Sequence, residues 1–224
     1  MATFVLIPGA GGAAWYWHRL VPELADRGHD AVPVELPAGD DSAGLDEYVD
    51  TVLRAVGDRT DLVVVGQSMG GLTAPLICEH RPVRLLVLLN AMVPRPGEPG
   101  GQWWENTGQE RALRESAEAA GRPVDFDPLV YFFHDVPPEV TAEAMRYEPP
   151  QSGTPFQKPW PLVAWPDVPT RILVGRDDRF FPADFQRRVA RERLGIEPEE
   201  LPGGHLAALS HPRELADRLV SFLT

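Results

Sequence analysis

The chain has 224 residues, 43% of them hydrophobic and 24% charged, which suits one well-packed globular domain and excludes a disordered or fibrous protein. A formal net charge of -12 repels phosphate backbones and anionic headgroups, so neither nucleic acid nor a membrane surface is expected as a partner. No stretch is apolar over the ~20 residues that a bilayer-spanning helix needs, no basic region precedes the first apolar segment, and the single cysteine, Cys78, leaves no intrachain disulfide or thiolate zinc cluster; a cytoplasmic protein is expected.

Short apolar runs alternate along the chain with segments of helical period, the pattern of parallel strands joined by crossover helices. Thr3 to Pro8 is the first predicted strand, followed by the glycine-rich loop Gly9-Ala10-Gly11-Gly12-Ala13. Trp17, Leu20, Val21, Leu24 and Ala25 then recur on one helical face. Pro22 lacks an N–H and belongs in the first turn, so this helix starts near His18 to Leu20, and Gly28 ends it. Asp30 to Leu36 is a second strand, Leu45 to Val56 a helix, and Leu62 to Val65 a third strand whose consecutive valines suit burial on both faces. A helix is predicted from Met69 to about His80, kinked at Pro75, and Arg84 to Leu89 is a fourth strand.

From Ala91 to Pro169 the texture changes. This stretch holds fourteen of the 24 prolines and ten of the nineteen aromatic residues, with helical pieces near Glu110 to Ala120 and Pro138 to Arg146 and no strand alternation. It reads as an insertion of 91–169 within one domain of 1–224. Placed at the carboxyl ends of the strands, it would roof a pocket, with Trp103, Trp104, Tyr131 and Phe132 among the candidate lining residues. The competing reading is that these rings only fasten the insertion down. Thr170 to Val174 (strand), Pro182 to Arg193 (helix), Glu199 to Leu201 (strand) and a final helix capped by Ser210 or His211 complete the chain.

The chemistry concentrates at Gly66-Gln67-Ser68-Met69-Gly70, which leaves a buried strand and enters a helix. Flanking glycines allow a tight turn that projects the hydroxyl above the sheet. A serine hydroxyl is a poor nucleophile near neutral pH and needs a base held by a carboxylate. His205, in Gly203-Gly204-His205-Leu206, and Asp178, in Gly175-Arg176-Asp177-Asp178, follow in the order nucleophile, acid, histidine. His211 reads as a helix-start residue, and His18, His29, His80 and His134 as surface or packing residues. Lys158 is the only lysine, so Schiff-base chemistry would rest on it alone and no P-loop lysine is present.

These segments, with Leu6-Ile7-Pro8-Gly9-Ala10, Trp15-Tyr16-Trp17 and Arg27-Gly28-His29, cover nearly the whole length and resemble a compact α/β-hydrolase. The chain is similar to the branch of plant methylesterases and hydroxynitrile lyases and their bacterial relatives, as a small bacterial serine hydrolase would be. The resemblance implies an α/β fold of about six mostly parallel strands with helices on both faces and a short helical cap. It implies a Ser68, His205, Asp178 triad, the acid selected over Asp177 by the spacing Gly-x-x-Asp-x-x-x-Pro, and oxyanion donors at the N–H groups of Met69 and Ala10. Gly9 and Leu206 would stand beside the substrate.

The chain departs from the family in three places. Pro8-Gly9 replaces the usual His-Gly, Gln67 replaces a histidine often found before the nucleophile, and Gly9 and Leu206 stand where the hydroxynitrile lyases typically carry threonine and lysine. The expected activity is cleavage of a small-molecule carboxylic ester, thioester or lactone with an apolar moiety, without metal or cofactor. A triad-based lyase and a non-catalytic ligand-binding protein on the same scaffold are the alternatives, and a homodimer is compatible with the sequence.

Overall fold

The computed structural model describes residues 1–146 and 150–223. Strands β1 (Thr3–Ile7), β2 (Asp30–Pro33), β3 (Leu62–Gln67), β4 (Val83–Leu89), β5 (Thr170–Gly175) and β6 (Glu199–Leu201) form one sheet in the order β2-β1-β3-β4-β5-β6. Every neighbouring pair is parallel. Alternate residues of the strands feed two cores. Val5, Ile7, Val64, Leu86, Leu88, Ile172 and Val174 point to one, and Phe4, Leu6, Val63, Val65, Leu85, Val87, Leu89 and Leu173 to the other.

Helices cover both faces. α1 (Leu20–Asp26) closes on the second core through Leu20 and Leu24, and α2 (Leu45–Val56) closes on the first through Tyr48, Val49, Val52 and Val56. Pro22 sits in the first turn of α1 and Gly28, at φ 78°, follows its end, as the sequence requires. The α2 start is held by Glu47, whose carboxylate accepts from Gly44 N–H at 2.7 Å. β2 is shorter than expected: Pro33 is tolerated because its nitrogen faces away from β1 on this edge strand, Val34 N–H makes the last bond, to Leu6 O, and the chain then turns off, with Leu36 N–H donating to Gly12 O.

The helix expected after Ser68 is instead two successive 3-10 segments, Ser68–Leu72 and Ala74–Glu79. Pro75 offers no N–H to the carbonyl of Gly71, and the glycine pair Gly70-Gly71 is a poor helix former, so i to i+3 bonds such as Thr73 N–H to Gly70 O take over.

Between β4 and β5 lie α3 (Trp103–Thr107), α4 (Gln109–Ala119), α5 (Pro128–Tyr131) and α6 (Pro138–Ala144). The second and fourth match the helical pieces expected; α3 and α5 are too short for a periodic signal. After β5 come α7 (Ala183–Leu194), packed on the first core through Phe185, Val189 and Ala190, then the unforeseen turn α8 (Ala207–Ser210). α9 (Pro212–Ser221) packs on the second core through Leu215, Ala216 and Leu219. His211 holds its N-cap position with no capping side-chain hydrogen bond.

Candidate active site

The strand order reverses between β1 and β3, and in a parallel sheet a crevice opens at the carboxyl ends of such a pair. Ser68 follows β3 and Gly9-Ala10 follows β1 at that crevice. Ser68 has φ 51°, a left-handed conformation uncommon for a residue with a side chain. Its neighbours explain how the turn closes. A Cβ on Gly66 would meet Ala74 Cβ and Gly70 O, both at 2.7 Å, and one on Gly70 would meet Ile7 O and Pro8 O, both at 2.8 Å. Ser68 O accepts from Met92 N–H at 2.9 Å, which ties the turn to the segment after β4.

Ser68 Oγ lies 3.0 Å from His205 Nε2, and His205 Nδ1 lies 2.8 Å from Asp178 Oδ2. A carboxylate only accepts, so Nδ1 carries the proton and Nε2 is free to accept from the serine hydroxyl. His205 and Asp178 are both buried. Asp178 is further fixed by the N–H groups of Phe180 and Phe181, each donating to Oδ1 at 2.9 Å, and by Gln186 Nε2 donating to Oδ2 at 3.2 Å. Asp177 points elsewhere: it is exposed, pairs with Arg176, which draws its carboxyl below the usual range, and accepts from Gly203 N–H.

Beneath this chain of bonds lies a polar network without a local sequence signal. Asn90, fully buried at the end of β4 with φ 45°, accepts from Gly175 N–H at 2.6 Å and donates to Gly204 O and His205 O. Gln67 Nε2 also donates to His205 O, at 3.3 Å. The loop carrying the imidazole is therefore held from below by two amides.

The first loop approaches Ser68 closely: a Cβ on Gly9 would stand 2.6 Å from Gln67 Oε1 and 2.9 Å from Ser68 Cβ. Ala10 is exposed and Met69 buried. Both residues flank the crevice, since β1 and β3 are paired in register up to Ile7 and Gly66.

The aromatic candidates divide. Phe132 stacks on the His205 ring, with centroids 5.1 Å apart and planes at 21°. Phe180 and Phe181, which are not among the residues the sequence singles out, meet the same imidazole edge-on at 5.3 and 5.1 Å. Trp104 is half-buried and borders Phe180. Trp103 and Tyr131 have no exposed surface; the indole donates to Val93 O and packs on Phe185, and the phenol donates to Pro123 O, so both are engaged in packing. Leu206 is partly buried against the second core. An 830 Å³ cleft between α4 and the start of α7, lined in part by Arg111, Arg122, Arg176 and Arg188, includes Asp178 in its wall but not Ser68.

Residues 4–218 match the model of the alpha/beta hydrolase family. The chain is 31% identical over 257 residues to an esterase of Oryza sativa, named "Probable esterase PIR7A", covering 97% of this chain and 95% of the relative. It is 32% identical over 255 residues to the alpha-hydroxynitrile lyase of Arabidopsis thaliana, covering 99% and 96%. The crystal structure of polyneuridine aldehyde esterase superimposes with a TM-score of 0.79 at 20% identity, covering 100% of both chains. The chain belongs to the alpha/beta hydrolase family, in the branch of the plant esterases and hydroxynitrile lyases.

Proposed function

We propose that this protein is a serine hydrolase that cleaves a carboxylic ester, or a thioester or lactone, through an acyl-enzyme on Ser68. The observation that carries the reading is the continuous hydrogen-bonded chain from Ser68 through His205 to Asp178, begun by a serine at φ 51°. Ser68 Oγ attacks the carbonyl carbon as His205 Nε2 takes its proton. The oxyanion is received by the N–H groups of Met69 and Ala10, each donor of this kind lowering a barrier by about 3 kcal/mol. The imidazolium returns the proton to the leaving group, and water, activated by the same nitrogen, releases the acid. Asp178 keeps the imidazole in the required tautomer. Phe132 and Phe180 beside the imidazole favour an apolar group on the substrate.

The identity to an alpha-hydroxynitrile lyase supports a second reading, in which the same groups move a proton without acylation. Leu206 after His205 favours the hydrolase, because an apolar side chain offers no cation for a departing cyanide. Fluorophosphonate labelling read by intact mass tests the proposal, followed by an ester, thioester, lactone and cyanohydrin panel. A stoichiometric adduct, lost in Ser68→Ala together with ester turnover, supports it. Full ester turnover by Ser68→Ala, or cyanide release without ester cleavage, overturns it.

A further inference from the structure

The segment between β4 and β5 touches the loops of the site at two points that its covering role does not require. Asp135 Oδ2 accepts from Gly204 N–H at 2.7 Å, immediately before His205. Gln151 Oε1 accepts from Gly11 N–H at 2.9 Å, immediately after Ala10. The Gln151 acceptor is itself braced. Gln151 Nε2 donates to Tyr48 Oη at 3.2 Å and to Ser152 O at 2.9 Å. Asp135 lies near two imidazoles, His134 Nε2 at 3.9 Å and His211 Nδ1 at 3.7 Å, neither within hydrogen-bond distance. Asp177, Arg122 and Arg179 line the same 370 Å³ cavity as this cluster.

At Gly203 and Gly204 there is no room for a side chain. A Cβ on Gly204 would stand 2.6 Å from His134 Nε2 and 3.0 Å from Asp135 Oδ1, and one on Gly203 would stand 2.5 Å from His211 Nδ1. The two glycines let the cluster reach the backbone ahead of His205. With Asn90 and Gln67 holding the other side of that loop, Asp135 completes its fixation.

From these contacts we infer that the segment between β4 and β5 is a two-point clasp, in which Asp135 positions the loop bearing His205 and Gln151 positions the loop bearing Ala10. The inference rests on the hydrolase reading for its kinetic consequences. Neither residue touches the reacting atoms; both act through the backbone they hold. The two ends have different signatures. Asp135 brings a carboxylate to the backbone beside the general base, so its loss displaces the pH profile. Gln151 acts on N–H donors that do not titrate, so its loss lowers the rate at every pH.

The test compares Asp135→Ala, Asp135→Asn and Gln151→Ala with wild type in ester turnover, in the rate of fluorophosphonate labelling and in the ¹⁵N titration of the His205 ring. The alanine variants should lose about tenfold in kcat with KM within about twofold, the size expected for one hydrogen bond that matters in the transition state. Asp135→Asn retains the accepting oxygen and should restore most of the rate. Unchanged kcat in both alanine variants overturns the clasp, as does a loss in Asp135→Ala that Asp135→Asn does not rescue. If wild type neither labels nor turns over, the hydrolase reading falls separately, and the ¹⁵N titration alone decides the Asp135 contact: a displaced His205 curve in Asp135→Ala supports it and a coincident curve overturns it.

Discussion

Asn90 and His205 lie 115 residues apart in the chain, yet Asn90 Nδ2 donates to His205 O at 3.2 Å while Asn90 Oδ1 accepts from Gly175 N–H. One buried amide thus joins the strand that leads to Asp178 to the loop that carries the imidazole. Asn90→Leu removes both donor and acceptor and leaves buried backbone groups unpaired, at about 1–3 kcal/mol for each. Urea unfolding should show a loss of about 3 kcal/mol, with turnover per folded molecule reduced as well. Stability within the error of wild type would refute this account of Asn90.

The buried ion pair of Glu98 and Arg193 gives a stability prediction away from the site. Their side chains are 5% and 2% exposed, and Arg193 Nη2 donates to Glu98 Oε1 at 2.9 Å. Burial alone would raise the Glu98 carboxyl, but Arg193, Asn106 and Arg95 N–H together hold it below its usual value. Arg193→Met strands this carboxylate and should cost about 3–5 kcal/mol, whereas Arg193→Met with Glu98→Leu should recover most of it. Chemical denaturation of the single and double variants measures the difference.

Stability should also fall on mild acidification. Burial, reinforced by Arg179, depresses the His134 imidazole below 6.5, against the opposing pull of Asp135. His29 is depressed in the same direction by burial, the N-terminus and Arg84. Above 6.5 both folded and unfolded forms of such a group are neutral; below it the unfolded chain binds the proton first, so stability decreases with falling pH until the folded value is reached. Thermal unfolding between about pH 8 and pH 5 should show this slope, and His134→Gln should flatten it in part.

Gly71 is the most crowded glycine of the turn after Ser68. A Cβ there would lie 2.1 Å from Met92 O, a backbone atom that cannot step aside. Gly71→Ala should cost about 3 kcal/mol or more, or prevent folding, as overpacking in a closed core does. A folded, wild-type-stable Gly71→Ala would show that the segment after β4 yields more easily than its contacts imply.

Trp103 and Phe132 should separate stability from catalysis. Trp103 is wholly buried among Trp104, Phe181 and Phe185, so Trp103→Ala should cost about 3–5 kcal/mol. Phe132→Ala removes the ring stacked on His205 and should change KM across an acyl-chain series more than it changes the unfolding midpoint. Equal effects of the two variants on KM would remove the distinction.

The alternation of strand and helix was legible along the chain, because period and glycine placement are local: Leu45–Val56 and Glu199–Leu201 coincide with their predicted limits. Ser68, His205 and Asp178, which the structure brings within hydrogen-bond distance, could be singled out beforehand because a glycine-flanked turn, a glycine-rich loop and an aspartate after a strand each have a local signature. The helix after Ser68 broke where Pro75 and two glycines removed the bonds that an amphipathic pattern presupposes. The partners of Asn90, Gln186, Asp135 and Gln151 emerge from the folded chain alone. A single polar side chain carries no local signal for its partner, whether in a loop or, like Gln186, on a helix; that partner, 69 residues away for Asp135 and 140 for Gln151, is chosen by the sheet that brings the segments together.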